Sequence, residues 1–437
     1  MYILIHLCPD ERGFWAYCKD APAMDDSIYR LRYRDLLAFC VLALLGMGAI
    51  MVQSASAGVT GELGWHWSKT GQRDLIYVGL AVITFFVIGH LDYRRVGRSI
   101  FHNRSESAPL PELTPQPDLL IPYASAHVQS PGSVNWDAIR RNLTTWVFIV
   151  SVLLCIAVLI PHVGTSVNGS RRWLRAGPVQ LQASEVGKWA TVLFFAWLLA
   201  ARPIDIRRYR FFLLAMVPIG LLALPIVKED FGTTALIGCC VITMFVAARC
   251  RLWHLATVLP PLMAAGYYFV RHKEYRWQRV IAFLNPYAAP QDTGYHLIQS
   301  LLSFASGGIF GTGLGNGVQK LGYLPEDTTD FIFAIICEEL GICGAMLTVV
   351  LYCGILLACW NIIRQTRDRF GKMLVFGVAS MIGLQAMINI AVATVSVPPK
   401  GLPLPLISFG GTGLLITCAM LGLVYSVSRV SDLEGKI

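Results

Sequence analysis

Uninterrupted apolar runs recur along the chain from Leu36 to Val427. Ten can be marked: 36–53, 75–91, 143–160, 186–201, 211–227, 231–248, 253–270, 331–359, 373–394 and 409–427. They are continuous, where the strands of a membrane barrel would alternate between lipid-facing and lumen-facing side chains. Most approach the length of about 20 residues that a helix needs to cross about 30 Å of hydrocarbon. A helix also satisfies its own backbone hydrogen bonds, as hydrocarbon requires. The pattern predicts an all-α, polytopic integral membrane protein with about ten transmembrane helices.

Composition narrows this further. Of 437 residues, 55% are hydrophobic and only 14% are charged, against about 25% charged in a soluble domain. Mean hydropathy is +0.56. A soluble enzyme and a disordered chain are both excluded, the second because so apolar a chain can bury surface. If the N-terminus is inside, 23 of the 36 Lys and Arg fall on cytoplasmic segments. The positive-inside rule then predicts N-in and C-in with a large outer loop between spans seven and eight. The net charge of +9 reads as topology. No basic stripe with interleaved aromatics points to nucleic acid.

The predicted organisation is a cytoplasmic segment 1–34, a transmembrane domain 35–430 and a cytoplasmic tail 431–437. Arg30, Arg32 and Arg34 before the first run, with Ala55-Ser56-Ala57 after it, resemble a signal peptide. The run from Leu36 to Val52 is longer than the usual h-region of about 7–15 residues, so it is read as a retained span. Residues 1–23 look unlike the rest, and Met24 is an alternative start. The twelve cysteines lie mostly inside spans, without CxxC or Cys/His spacing. They read as small buried hydrophobes, with no metal site among them. The Pro/Ser-rich segment 92–142 is expected to be a flexible cytoplasmic insertion. The outward segment 271–330 is the first place to look for a site.

Several clusters there carry candidate chemistry. Gly307–Gly317 contains six glycines, but no βαβ unit surrounds it, so it is not a dinucleotide loop. It is either a tight turn packed on helix ends or a backbone surface open to a bulky polar substrate. Leu324–Asp330 brings Glu326, Asp327 and Asp330 to the point where loop becomes span. Asp330 either caps the helix or is a carboxylate held at the surface as a general base. Glu338 and Glu339 lie about 12–14 Å deeper by helical rise; they need a partner or a cavity.

Adjacent Arg171 and Arg172 run against the positive-inside bias and suit phosphate. Glu185 and Lys188, at i and i+3, form a helix-start ion pair or line a substrate groove. The last outer loop, Pro398–Gly411, is stiff and non-helical; such backbone lines a cavity or is buried in protein. Gln385 and Asn389 read as interhelical hydrogen-bonding groups more than ligands.

Taken together, NGSRRWL with QASEVGK, EDFGTT, QRVIAFLNP, GYHLIQSLLSFASGGIFGTGLGNGVQKLGYLPE, TDFIFAIICEELG and PPKGLPLPLISFGG resemble the SEDS glycosyltransferases, the FtsW/RodA/SpoVE proteins. The strings occur in the family's order from about residue 34 onward, and the Gly-Asn-Gly-Val-Gln-Lys and Lys400-Gly401-Leu402 runs are nearer the FtsW branch. The chain departs from the usual pattern at three places. Ala183 stands for Pro, Asp327-Thr328 for Ala-His, and Lys228-Glu229-Asp230 for Gln-Pro-Asp.

The resemblance implies polymerisation of lipid II into glycan strands on the outer face of the bacterial cytoplasmic membrane, most naturally at the division septum. It implies a class B penicillin-binding protein as transpeptidase partner, with other divisome proteins. Asp330 matches the family's essential aspartate and is assigned as base. Arg171, Arg172, Trp173, Glu185, Lys188, Glu326, Lys400 and Ser408 are the substrate-binding candidates, with a divalent cation, Mg or Mn, as an optional cofactor. A lipid II flippase, a RodA-like elongation polymerase and a catalytically silent division scaffold are the alternative readings.

Overall fold

The computed structural model describes residues 32–58, 69–97, 140, 142–161, 163–167, 170–176, 179–201, 206–288, 290–291, 294–324 and 328–434. The candidate Glu326, the start-site question at Met24 and all but the ends of the 92–142 insertion lie outside them.

Ten helices coincide with the ten apolar runs. They are α1 (Tyr33–Gly58), α2 (Lys69–His90), α4 (Leu143–Leu159), α5 (Ala183–Ala201), α6 (Tyr209–Glu229), α7 (Phe231–Ala247), α8 (Leu252–Arg271), α11 (Ile332–Gln365), α12 (Arg369–Ala393) and α13 (Thr412–Glu434). Six are long and apolar enough by themselves to cross a membrane, and α4 and α7 are shorter apolar helices. Among the described residues there are also three shorter α-helices: α3 (Arg94–Gly97), α9 (Glu274–Leu284) and α10 (Tyr295–Gly307). Polar side chains mark several starts. Asn142 accepts from Thr144 N before α4, Asp230 from Thr233 N before α7, and Asp368 from Phe370 N and Gly371 N before α12. Each satisfies donors that lack an intrahelical acceptor.

The stretch that carries Arg171 and Arg172 contains a three-stranded antiparallel sheet, β1 (Gly164–Val167), β2 (Ser170–Ala176) and β3 (Val179–Gln182), in that order, and α5 follows it. Trp173 pairs with Thr165 on one side and Gln182 on the other. The strands are short and polar, so their hydrophobic pattern is weak; what holds them is pairing, a cross-strand effect. The sheet rests on the ends of α4, α5 and α6, and β3 touches α13.

The centre of the bundle is α5, buried along almost its whole length and packed by α4, α7, α12 and α13. Around it, α2 lies against α13 and α1 against α11. At the end away from the sheet, Tyr93 Oη donates to Asp368 at 3.2 Å and Arg429 donates to the His90 carbonyl at 2.6 Å. The sheet, the start of α11 and the loop before α13 gather at the opposite end.

One helix is broken there. Gly341 in α11 has φ 65° and ψ −162°, a region open to glycine alone at low cost. The amides left without acceptors are served by the glycine-rich segment: Ile342 N donates to Gly308 O and Cys343 N to Ile309 O. In return, Thr312 N and Gly313 N donate to the Glu338 and Glu339 carbonyls. A side chain at Gly341 would lie 2.4 Å from Gly311 N. Gly341→Ala is therefore expected to destabilise the protein by about 1–3 kcal/mol from backbone strain, read as a fall in the unfolding midpoint in detergent. An unchanged midpoint would show that the break is not set by this glycine.

Candidate active site at the sheet end

Asp330 stands in the turn before α11, and three successive main-chain carbonyls hold it there. Thr328 O accepts from Phe409 N at 3.0 Å, Thr329 O from Ser408 Oγ at 2.6 Å, and Asp330 O from Asn389 Nδ2 at 2.8 Å. Phe331 occupies the cap position of α11 and carries no side-chain cap bond, so Asp330 is not the helix cap that sequence left open. Its carboxylate lies against the loop before α13: a Cβ built on Gly401 would be 2.9 Å from Asp330 Oδ2. Gly401→Ala should thus displace the carboxylate while leaving the fold intact. Misplacement near 1 Å can cost about 10²-fold in rate, so turnover should fall by about one to two orders of magnitude at an unchanged unfolding midpoint. Full activity would place the working carboxylate elsewhere.

That loop is fixed from several sides. Ser408 Oγ also accepts from Leu404 N at 2.7 Å, and Tyr352 Oη of α11 donates to Pro405 O. Ser408 is buried and its hydroxyl is committed to protein on both counts. Here it positions Asp330; no open face of it is presented to a ligand.

A chain of buried polar groups runs from this loop into the bundle. Asn389 Nδ2 also donates to Leu402 O at 2.7 Å, and Gln385 Nε2 to Pro403 O at 2.7 Å. Gln385 Oε1 accepts from Lys188 Nζ at 2.8 Å, and Lys188 lies 2.7 Å from Glu185 Oε2. Gln385 and Asn389 thus tie α12 to the loop, with one interhelical link, to Lys188. Lys188 is 1% exposed. A charge taken this far from water persists only when paired and hydrogen-bonded, and Glu185 with Gln385 supplies both. The Glu185–Lys188 pair is an internal strut under the loop.

Cations do approach the site from the sheet. Arg172 donates to Glu229 O and stands 3.6 Å from Asp230 Oδ2. Asp230 is buried and also caps α7 through Thr233 N and Oγ1. Arg171 uses its backbone N–H on Glu229 Oε2 at 2.9 Å while its side chain is exposed. Lys400 crosses the Phe231 ring, with Nζ 5.1 Å from the centroid. Burial pushes the Lys400 ammonium below the usual lysine range, and the nearby Asp230 carboxylate partly offsets this. A dianion beside Lys400 would be received as the missing counter-charge. Sequence reasoning missed Arg276, which sits over the other part of this corner. It is buried, donates to Val227 O and Lys228 O, and lies 5.8 Å from the Phe231 centroid. Its amphipathic helix α9 was the available signal.

Glu338 and Glu339 are resolved as structural. Glu338 Oε1 accepts from Val318 N at 2.7 Å and Gln319 N at 3.3 Å. Glu339 pairs with Lys320 Nζ at 2.9 Å and accepts from Ser54 Oγ of α1. The glycine-rich segment is therefore a turn packed on α11. Trp173 is a strand residue of β2. Among the described residues no three His, Cys, Asp or Glu side chains form a metal cage. Asp330, Lys400, Arg172 and Asp230 form one continuous region; Lys188, Glu185 and Ser408 support it from beneath.

The chain is similar to known proteins in both sequence and fold. Residues 133–433 match the family model for FtsW, RodA and SpoVE, described as "Cell cycle protein". The chain is 32% identical to the "Probable peptidoglycan glycosyltransferase FtsW" of Coxiella burnetii, over 92% of this chain and 97% of that protein. It is 41% identical to the protein of the same name from Saccharophagus degradans, over 66% of this chain and 76% of that one. Among solved structures, a chain from work titled "Structural coordination of polymerization and crosslinking by a peptidoglycan synthase complex" superposes with TM-score 0.67 at 25% identity, covering 90% of this chain and 97% of that one. Thermus thermophilus RodA shares the fold with TM-score 0.58 at 23% identity, covering 90% and 95%.

Proposed function

This chain belongs to the FtsW/RodA/SpoVE family of SEDS membrane proteins, and from that premise we propose that it is a peptidoglycan glycosyltransferase that polymerises lipid II with Asp330 as general base. The observation that carries the reading is the triple main-chain fixation of residues 328–330, which holds one carboxylate beside Gly401 and near Lys400. A general base must be held in place, since catalysis depends on orientation at the level of an ångström.

In the reaction a sugar 4-hydroxyl of one lipid-linked molecule attacks C1 of the other. Its proton passes to Asp330, the new C1–O4 bond forms, and the bond from C1 to the isoprenyl diphosphate breaks with its electron pair leaving on phosphate. Displacement from the opposite face inverts C1 and gives a β-1,4 linkage. Charge developing on the diphosphate needs preorganised cations. Lys400 adjoins Gly401, which lies against the Asp330 carboxylate, and it lacks full solvation; Arg172, shared with Asp230, is the second. Lys188 acts through Gln385 on the position of the loop and not on substrate.

The sheet end is the outer face of the bacterial cytoplasmic membrane in this reading, as the Lys and Arg distribution favours. Septal wall synthesis with a class B penicillin-binding protein is the proposed setting. Reconstitution of the purified chain with lipid II, with and without that partner, tests the function. Glycan strands longer than the input are expected. Redistribution of lipid II between leaflets without polymer would replace this reading with the flippase, and lateral-wall rather than septal location in cells would favour an elongation role.

A further inference from the structure

Two cations share the Phe231 ring. Lys400 Nζ lies 5.1 Å from its centroid and Arg276 Cζ 5.8 Å. Only one of them is otherwise fixed. Arg276 is 8% exposed, and its Nε donates to Tyr275 Oη at 2.9 Å. Its Nη1 donates to Phe269 O at 3.4 Å, and its Nη2 to Val227 O at 3.3 Å and Lys228 O at 2.8 Å. Lys400, by contrast, has no hydrogen bond or salt bridge to a described residue. Its stem runs along the first turn of α7, where a Cβ built on Gly232 would lie 3.8 Å from Lys400 Cβ. The ring is therefore what orients its ammonium.

Arg276 is a buried charge without a carboxylate against it among the described residues. Helix ends take that place. Val227 and Lys228 lie in the last turn of α6 and Phe269 in the last turn of α8. Carbonyls there lack intrahelical donors, and the C-terminal end of a helix favours a cation. A planar fork with several donors can serve two such ends at once, which a lysine cannot. The α6 end is also the joint that places Phe231. Asp230 N donates to Ile226 O at 2.6 Å and closes α6, the Asp230 side chain caps α7, and Phe231 follows as the first residue of α7. From α8, a Cβ on Gly266 would meet Phe231 Cζ at 3.8 Å. The place of the ring follows from this joint, and Arg276 clamps the joint to α8 and α9.

We propose that Arg276 is a positioning residue for glycosyl transfer: it holds the α6–α7 joint so that Phe231 presents the Lys400 ammonium to the site. The function of that ammonium rests on the polymerase reading; the linkage from Arg276 through Phe231 to Lys400 does not. Arg276 itself touches no substrate in this arrangement, because its donors are spent on protein.

The test reads the position of Lys400 directly, in the full-length chain in detergent. Reductive methylation with ¹³C-formaldehyde puts methyl probes on the lysine and keeps its charge, and Lys400→Arg assigns the signal. In the parent the Lys400 methyls should stand upfield, in the ring current of Phe231, and Phe231→Leu should abolish that displacement. Arg276→Gln should remove most of it and lower kcat/KM on lipid II about tenfold, the scale of one desolvated cation–π contact. In a Lys400→Met background the same substitution should cost nothing further. A merely structural arginine would lower the unfolding midpoint, leave the methyl signal in place and cost the same in both backgrounds; that result overturns the proposal, as does a parent signal with no upfield displacement. Should Arg276→Gln not fold, Arg276→Lys, which keeps a cation and a donor, should show an intermediate displacement, and an unchanged one overturns the proposal equally. A methyl signal that depends on Arg276 in a parent chain that makes no polymer would count against the polymerase reading and not against the linkage.

Discussion

Asp330→Asn should insert and fold like the parent chain yet lose strand synthesis by about 10²–10⁴-fold, the usual contribution of a positioned general base. The expectation follows from which atoms do the holding. The bonds that fix this turn are made by the carbonyls of Thr328, Thr329 and Asp330 to Phe409, Ser408 and Asn389. None of them involves the group the substitution changes. Asn is nearly isosteric with Asp and cannot accept the hydroxyl proton at neutral pH. The measurement is strand length from purified lipid II, alongside the unfolding midpoint in the same detergent. Asp330→Glu should recover only part of the rate, because a longer side chain beside Gly401 moves the carboxylate from its place. Substantial synthesis by the Asn variant would sink the assignment.

Lys188→Met should destabilise the protein by about 3–5 kcal/mol, the cost of leaving a buried charge without its partner. Glu185 and Lys188 are both buried and are 2.7 Å apart at their closest charged atoms. Removing the ammonium strands the Glu185 carboxylate and the Gln385 carbonyl together. The double variant Glu185→Leu/Lys188→Met removes both charges and should recover most of the lost stability, since apolar replacements of buried pairs are often neutral. Its activity should remain low, because Gln385 still loses the contact that orients it toward Pro403. Thermal unfolding separates the two chains, and strand synthesis then separates stability from positioning. Activity restored together with stability would mean that the pair has no influence on the loop. Activity lost at full stability in Lys188→Met would instead make Lys188 a substrate ligand.

The family strings and the ten apolar runs were legible because each is a local property of the chain. Transfer into hydrocarbon depends on about 20 consecutive side chains, and the runs 143–160 and 231–248 fall on α4 and α7 to within one residue at either end. Caps such as Asp368 before α12 are equally local. The sheet at 164–182 was not legible, because antiparallel pairing joins residues whose own hydrophobicity carries little signal. The break at Gly341 was hidden inside a run that reads as one apolar helix; it exists because residues 308–313 dock onto it.

The roles of the charged residues divided in the same way. Sequence marked Asp330, Glu338, Glu339, Glu185 and Lys188 as charges that needed an explanation, since ionised groups at the membrane require partners. It could not choose among cap, ion pair and catalytic group, because each choice depends on a residue far along the chain. Glu339 is settled by Ser54, 285 positions away. Lys188 is settled by Gln385, 197 positions away. Asp330 is held in place by Asn389 and by the loop from Lys400 to Phe409. The sequence by itself determined a helical membrane bundle, its family and the short roster of charges worth attention. Only the tertiary structure decided which of those charges support the bundle and which face the site, because electrostatic role is fixed by the partner within about 4 Å and by access to water.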